Sequence, residues 1–353
     1  MTATATGSTL LRPLADRPAL TASAIGRPTR RGLLVGGLGA AGLFGLTACG
    51  AGGSSAKASG GASAGAWSFT DDRGRTVRLP RRPRRIAFLT DTVGAALWAA
   101  GLQPVAAADS GQGIVPAVKP DWTGVTKIYS ADKGVRLEAL AQARPDLLVD
   151  AVQPDGTLQV SSQLSEVSKI APVVGLSTYQ PIEKIAGTAD RLTASLGSHL
   201  ADAGAKARYT AASARLKSAV AANPGVRVGF VFGIDKNTIG VMNPATWAVL
   251  KTVRALGMRL VPVPAGSDNT YSQAVSWENV PSIPVDLLVW AVSDPMPDAP
   301  LWKRTPAVAA GQVWKPELAS WYAYSWENFT VLLDGLASRV GSARAGVGPR
   351  DAS

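Results

Sequence analysis

The chain has 353 residues, of which 46% are hydrophobic and 17% charged, with a formal net charge of +11, one cysteine and one histidine. This is globular composition, enough for about two domains. A single Cys excludes an internal disulfide, one His with one Cys cannot supply the usual three or four zinc ligands, and a Ser-His-Asp hydrolase would rest wholly on His199.

The first elements are an address. Residues 1–31 carry Arg12, Arg17, Arg27, Arg30 and Arg31 against one acid, Asp16, and Gly32–Ala48 is then free of charge. A charged segment before an apolar run is the layout of an export signal. Arg30-Arg31 directly before the run resembles a twin-arginine signal. Leu46-Thr47-Ala48-Cys49-Gly50 resembles a bacterial lipobox, in which Cys49 receives a diacylglyceryl group and becomes the first mature residue. A transmembrane anchor is the other use of such a run, but 17 residues with six glycines are marginal for a span of about 20. Cleavage after residue 48 removes five arginines and one aspartate, so +11 becomes +7. Residues 49–66, rich in Gly, Ser and Ala, cannot bury a core and read as a flexible tether.

The body starts near Trp67. Arg85–Thr90 reads as a strand, Thr92–Ala100 as a helix closed by Gly101, and Pro104–Ala108 as a strand. Leu137–Ala143 reads as a helix and Asp146–Val152 as another strand. Apolar strands alternating with helices predict a parallel sheet covered on both faces. Ala201–Ala222 is an uninterrupted helical stretch stopped by Asn223-Pro224-Gly225, about 33 Å long and able to bridge two small lobes. The pattern then restarts: strand Val226–Phe232, helix Ala245–Leu256 stopped by Gly257, strands Arg259–Val263 and Asp286–Val292. Glu138 and Asp146 stand eight residues apart before Leu-Leu-Val, as do Glu278 and Asp286, which reads as two similar lobes. A last helix runs from Trp326 to Val340 with Ser325 as N-cap, followed by a tail from Gly341 that reads as frayed. The expected layout is an N-terminal lobe over 67–180, a bridging segment over 181–224 and a C-terminal lobe over 225–345. The fold class is α/β, with two Rossmann-like lobes, a long rigid helix between them and a ligand cleft between the lobes.

Thr70-Asp-Asp-Arg-Gly-Arg-Thr-Val-Arg-Leu-Pro80, Pro83-Arg84-Arg85-Ile86, Leu137-Glu138 with Arg144-Pro145-Asp146-Leu147-Leu148, Ile170-Ala171-Pro172-Val173, and Trp302 with Ala307-Val308 and Gly311-Gln312-Val313 occur in that order behind the lipobox. In order and spacing they resemble the solute-binding lipoproteins of iron–siderophore ABC importers, a class that includes cobalamin and haem binders. The resemblance implies two α/β lobes on a rigid helix, little closure, a monomer, and a glutamate on each lobe that docks into arginine pockets of a permease dimer. The matching positions are Glu138 and Glu278. Their plainer role is that of ordinary acids near a helix N-terminus, where the dipole favours them.

In open α/β lobes ligands bind beyond the carboxyl ends of the strands. The loops there supply Thr90, Asp91, Asp109, Ser110, Gln153, Ile234, Asp235 and Ser293, with Trp122, Tyr129 and Lys133 ahead of Glu138. Trp321, Tyr322, Tyr324 and Trp326 put four aromatics in six residues before a helix. They are either a lobe-packing cluster or walls for a large semi-apolar ligand. The expected ligand contacts are Thr90, Trp122, Lys133, Gln153, Trp321, Tyr322, Tyr324 and Trp326, with Lys133 and Gln153 chosen from the resemblance. Family members for anionic siderophores present several cleft arginines, and these loops carry none, which leans toward a neutral ferric hydroxamate. The iron would arrive with the ligand; no resident cofactor or protein-bound metal is expected. No His-Glu-x-x-His, Gly-x-Ser-x-Gly or P-loop occurs, which argues against a secreted enzyme. No basic run follows Arg85, which argues against nucleic acid as a partner.

Overall fold

The structure is a computed structural model that describes residues 65–109, 121–130, 134–198, 201–235, 238–263, 271–291, 300–316 and 324–349. The leader, Cys49, nearly all of the tether, Lys133, His199, Trp321 and Tyr322 lie outside the described residues.

The body opens with a hairpin absent from the sequence reading, β1 (Trp67–Thr70) paired antiparallel with β2 (Thr76–Leu79). Its turn explains the Thr-Asp-Asp-Arg-Gly-Arg motif. Asp71 is buried, accepts Arg73 Nη2 at 2.6 Å, and also takes the backbone N–H of Gly175 at 2.9 Å. Arg73 donates on to the carbonyl of Val173 at 3.2 Å. The charged pair thus fastens the hairpin to a strand a hundred residues away.

The N-terminal sheet is built from β3 (Ile86–Phe88), β4 (Ala106–Ala107), β5 (Thr126–Lys127), β8 (Leu147–Val152) and β9 (Val173–Ser177) in the order β5-β4-β3-β8-β9. All pairings are parallel. A small antiparallel pair, β6 (Tyr129–Ser130) and β7 (Gly134–Val135), stands apart. Helices α1 (Asp91–Ala99), α2 (Leu137–Gln142) and α3 (Leu164–Ile170) make the crossovers. Every residue of β8 is buried, as a strand covered on both faces requires. Gly101, at φ 93°, ends α1, with the Leu102 N–H bonded back to the Leu97 carbonyl at 2.9 Å. Gly257, at φ 96°, does the same in the second lobe, where Met258 reaches Val253 at 3.1 Å. A residue with a Cβ would be strained at either stop.

The bridge differs from the expectation. The stretch 201–222 is helical, but as α5 (Ala205–Ala222) it lies along the last helix. The element that touches both lobes is the 14-residue α4 (Ile182–Ser195). Its first N–H bonds Thr252 of the C-terminal lobe at 3.0 Å, while Thr188 bonds Asp72 at 3.3 Å and Ser195 accepts the Trp67 indole at 3.2 Å. Helix α4 lies inside the expected bridging segment 181–224, where the proline-free stretch 201–222 is the longer helical run.

The C-terminal sheet holds β10 (Arg227–Gly233), β11 (Thr238–Met242), β12 (Arg259–Leu260), β13 (Ser272–Ser276), β14 (Leu287–Trp290) and β15 (Val313–Trp314). Its path is β13-β11-β10-β14-β15, with β12 also beside β10. It is mixed rather than wholly parallel: β11 and β13 pair antiparallel. Only residues 234–237 join β10 to β11, too short for a parallel crossover, so the chain must turn back as a hairpin. Ile234 and Asp235 belong to that turn, where both N–H groups approach the Thr238 carbonyl. Helices α6 (Ala248–Ala255), α7 (Pro300–Arg304), α8 (Pro306–Ala309) and α9 (Trp326–Ser342) complete the lobe. Ser325 caps α9 as expected, accepting the Asn328 N–H at 3.2 Å.

The tail is not frayed where it is described. Arg344 N–H bonds Gln312 at 2.6 Å, Gly348 N–H bonds Asp286 at 3.0 Å, and Arg227 reaches the Pro349 carbonyl at 2.6 Å. Gly348 lies so close to Val285 that a Cβ would stand 2.1 Å from its carbonyl oxygen.

One buried acid lacks a guanidinium. Asp150 in β8 is fully buried, accepts the N–H of Val160 at 3.0 Å, and leaves its other oxygen without a partner among the described residues. Burial outweighs its hydrogen bonds and raises its carboxyl to about 7. Because the folded value lies above the unfolded one, the penalty is absent below about pH 4 and fully present above about pH 7. Stability is therefore expected to fall as pH rises through that window, with Asp150 contributing on the order of 4 kcal/mol. Asp150→Asn is expected to stabilise the protein by about 1–3 kcal/mol at pH 8 and to flatten this dependence. Urea titrations at pH 5 and pH 8 measure both; parallel pH profiles for the two proteins would refute the assignment.

Candidate functional site

The chain leaves β9 and crosses to the second lobe over Thr178–Pro181, and an aromatic triangle forms there. Tyr179 comes from the first lobe; Trp247, just ahead of α6, and Tyr271, just ahead of β13, come from the second. The ring centroids are 6.0 Å apart for Tyr179–Trp247, 5.9 Å for Tyr179–Tyr271 and 5.8 Å for Trp247–Tyr271. Polar bonds set the rings. The Trp247 indole N–H donates to the Tyr271 carbonyl at 2.7 Å, and Lys251 Nζ donates to the Tyr179 carbonyl at 2.6 Å. Partial burial, then neighbouring Arg254, lowers the Lys251 ammonium below its ordinary value. All three rings are half-buried, so each joins packing to an open edge.

Gln153 belongs to this patch. It follows β8, its Oε1 accepts the Tyr271 hydroxyl at 3.4 Å, and its Nε2 donates to Gln159. The first of these bonds joins the two lobes beyond the carboxyl ends of β8 and β9. Thr90 stands at the carboxyl end of β3, in the N-cap position of α1, where it makes no cap bond and its buried hydroxyl has no partner among the described residues.

The other expected contacts are placed elsewhere. Trp122 precedes β5, toward the amino ends of the strands and away from their carboxyl ends, with its ring 4.9 Å from Trp98 and Lys127 above it at 5.0 Å. Tyr324 and Trp326 are buried in the core. Trp326 donates to Asp190 of α4 at 2.8 Å and lies against Tyr209 of α5 at 5.1 Å, and Tyr324 lies against Phe329 at 5.7 Å. Of the two alternatives, the described half of that cluster takes lobe packing. A cavity of about 110 Å³ does adjoin Trp326, between α1, α4, α5 and α9. Ligand pockets are commonly about 300–1,000 Å³, so it does not provide the main site. The segments 110–120, 131–133, 264–270, 292–299 and 317–323, which flank strand ends, lie outside the described residues.

Glu138 is exposed in the first turn of α2, and Glu278 is exposed between β13 and the single turn Val280–Ser282. Its own backbone N–H and then the Ser276 hydroxyl hold the Glu278 carboxyl below its usual range. The aspartates that follow them are matched in geometry. Asp146 accepts the N–H groups of Arg84 and Arg85 at the start of β3. Asp286 accepts the N–H of Arg227 at the start of β10, at 3.0 Å. The sequence repeat is thus a repeated lock between neighbouring strand starts. Tyr179, Trp247 and Tyr271 were missed by sequence reading, although each is an aromatic at the edge of a helix or strand. Among the described residues, no cluster of three or more His, Cys, Asp or Glu could hold a metal.

Two α/β lobes joined through a helix agree with the family comparison: residues 92–315 match the periplasmic binding protein family. The chain belongs to that family. No curated protein sequence matches it. Among solved structures it is similar to DesE, a ferric-siderophore receptor protein from Streptomyces coelicolor, at 27% identity and TM-score 0.67 over 79% of this chain and 99% of that one. It shares its fold with the siderophore periplasmic binding protein from the fuscachelin gene cluster of Thermobifida fusca, at 20% identity and TM-score 0.54 over 73% and 96% of the two chains. FhuD2 from Staphylococcus aureus, solved with ferrioxamine B bound, has the same fold at 19% identity and TM-score 0.52, over 73% and 98%.

Trp326→Ala is expected to lower stability by about 3–5 kcal/mol, as for a core aromatic. Trp247→Ala, at a half-buried ring, should lower it by less. Denaturant unfolding of both variants checks the order; equal losses would make the triangle ordinary core.

Proposed function

We propose that this protein is the extracytoplasmic solute-binding component of an ABC importer, and that its ligand is a ferric siderophore held between the lobes. The observation that carries the reading is the similarity to the ferric-siderophore receptor DesE, at 27% identity over 79% of the chain. The aromatic junction fits it, since large semi-apolar chelates need rigid rings with few polar groups. A neutral ferric hydroxamate is favoured by the absence of arginine from the candidate loops. In this reading Tyr179, Trp247, Tyr271, Gln153 and Thr90 form the described part of the ligand face. Lys133, Trp321 and Tyr322 would extend it. The protein works as a carrier, not an enzyme.

Tryptophan fluorescence titration against ferric hydroxamates, ferric catecholates, haem and cobalamin tests the ligand class. The ferric hydroxamates should bind most tightly. Trp247→Ala and Tyr271→Ala should each weaken that binding by about 1–3 kcal/mol. Tightest binding of haem or cobalamin would replace the siderophore reading by that of another member of the class.

Delivery would use Glu138 and Glu278, one exposed acid on each lobe, set against arginines of a permease dimer. The double substitution Glu138→Lys with Glu278→Lys should leave ligand affinity within a few-fold and abolish uptake by cells, because like charges would then face each other. Normal uptake by an exported, ligand-binding double variant would show these to be plain surface acids.

Retention at the outer face of the cytoplasmic membrane would come from acylation of Cys49. Cys49→Ala should release the protein without detergent; unchanged retention would point to an uncleaved anchor.

A further inference from the structure

The end of the N-terminal lobe from which the tether leaves is covered with arginine. Trp67, the first strand residue, bonds Ser195 in the last turn of α4, which puts the start of the body at that end of the helix. Arg78 lies across the hairpin from Ser68. Arg81 and Arg82 follow, and the Arg82 guanidinium stands over Gly197, just past α4. Arg84 and Arg85 lead into the start of β3, and Arg144 adjoins them after α2. All six are exposed.

Neutralisation inside this group is slight. Arg85 donates to the carbonyls of Ala143 at 2.6 Å and Arg144 at 2.8 Å. Asp146 faces the backbone N–H groups of Arg84 and Arg85 and makes no ion pair with a guanidinium. The guanidinium groups of Arg78, Arg81, Arg82, Arg84 and Arg144 have no carboxylate partner among the described residues. Seven arginines in the thirteen residues 73–85 make this the densest charge in the body, and among the described residues only Arg73 is paired with a carboxylate.

We propose that this arginine face docks on anionic phospholipid headgroups and seats the protein on the membrane, tether end down, with the carboxyl ends of the N-terminal strands turned away from the bilayer. Two observations select lipid as the occupant. One is charge complementarity, which acts within a Debye length of about 8–10 Å. The other is where the chain leads: Gly65 and Ala66 leave the body at this end, and Cys49, which carries the acyl group in the function proposed above, lies seventeen residues before Ala66 in the chain. Glu138 is in the first turn of α2, while carbonyls following the last turn of that helix hold Arg85. The lipid face and the proposed permease face therefore lie at opposite ends of the lobe, so lipid contact is a resting state that the protein must leave before it docks. Contact with lipid does not depend on which ligand the cleft takes.

The test uses the mature chain from residue 49 onward carrying Cys49→Ala, so that neither the leader nor an acyl group contributes. Binding is measured by co-sedimentation with vesicles of phosphatidylcholine alone and of equal parts phosphatidylcholine and phosphatidylglycerol. The protein should prefer the anionic vesicles and be released by added salt. Changing Arg78, Arg81, Arg82, Arg84 and Arg144 to Gln should weaken that binding by about five-fold for each arginine removed. The same positions changed to Lys should retain it, and Arg81→Gln alone provides a mild variant in an exposed linker. Equal binding to both vesicle types would overturn the proposal, as would a Gln variant that binds anionic vesicles like the parent. Equal affinity for soluble polyphosphate at matched charge would also overturn it, since the partner would then be any anionic polymer. A ligand titration of the Gln variant separates the two readings, because affinity for the cleft ligand should be unchanged.

Discussion

The two lobes are held in register by one apolar core that runs through both. Ile182 and Leu192 of α4, Tyr209 and Leu216 of α5, and Phe329, Leu333 and Leu336 of α9 are buried in a single cluster. That cluster continues into Phe88 and Leu97 on one side and Phe230 and Val253 on the other. Opening it would expose apolar surface at roughly 25 cal/mol per Å². Large lobe rotation is therefore costly, and a binding face between the lobes must be largely preformed. The Gln153–Tyr271 bond and the aromatic triangle sit at the edge of this junction, where their spacing follows from helix packing rather than from a ligand.

Buried charge adds direction to that packing. The pairs Asp71–Arg73 and Asp286–Arg227 each join chain segments remote in sequence, and each also takes up backbone N–H groups. Burial opposes ionisation of Asp286, but the Arg227 guanidinium and the N–H groups of Gly348 and Arg227 hold its carboxyl below the usual range. Asp150 has hydrogen bonds but no guanidinium within bonding distance, and its carboxyl goes the other way. The contrast separates a buried acid that acts as a lock from one that carries a cost at neutral pH.

Sequence reading was strongest where local chemistry settles the matter. The apolar runs of β3, β8, β10 and β14 and the stops at Gly101 and Gly257 announce themselves within a few residues. It was weakest where distant partners decide. β11 and β13 are edge-side strands whose direction depends on a short turn, and the hairpin β1–β2 is held by a contact with β9. The same division separates the site residues. Gln153 was legible from its place after β8, whereas Tyr179, Trp247 and Tyr271 become a group only once both lobes are in place. Tyr324 and Trp326 stood out as a cluster in sequence, yet α4 and α5 bury them.

The repeat of Glu, Asp and Leu-Leu-Val shows how much of a two-lobe design one short segment can carry. The aspartate ties the start of its own strand to that of a parallel neighbour, and the apolar triplet then fills the sheet between covering helices. The glutamate eight residues earlier makes none of these bonds and remains exposed in both lobes. The fold has a physical use for the aspartate and the leucines of each copy. For the glutamates it has none beyond local helix-end or turn electrostatics, so the matched segments share a structural cause only in their aspartates and leucines.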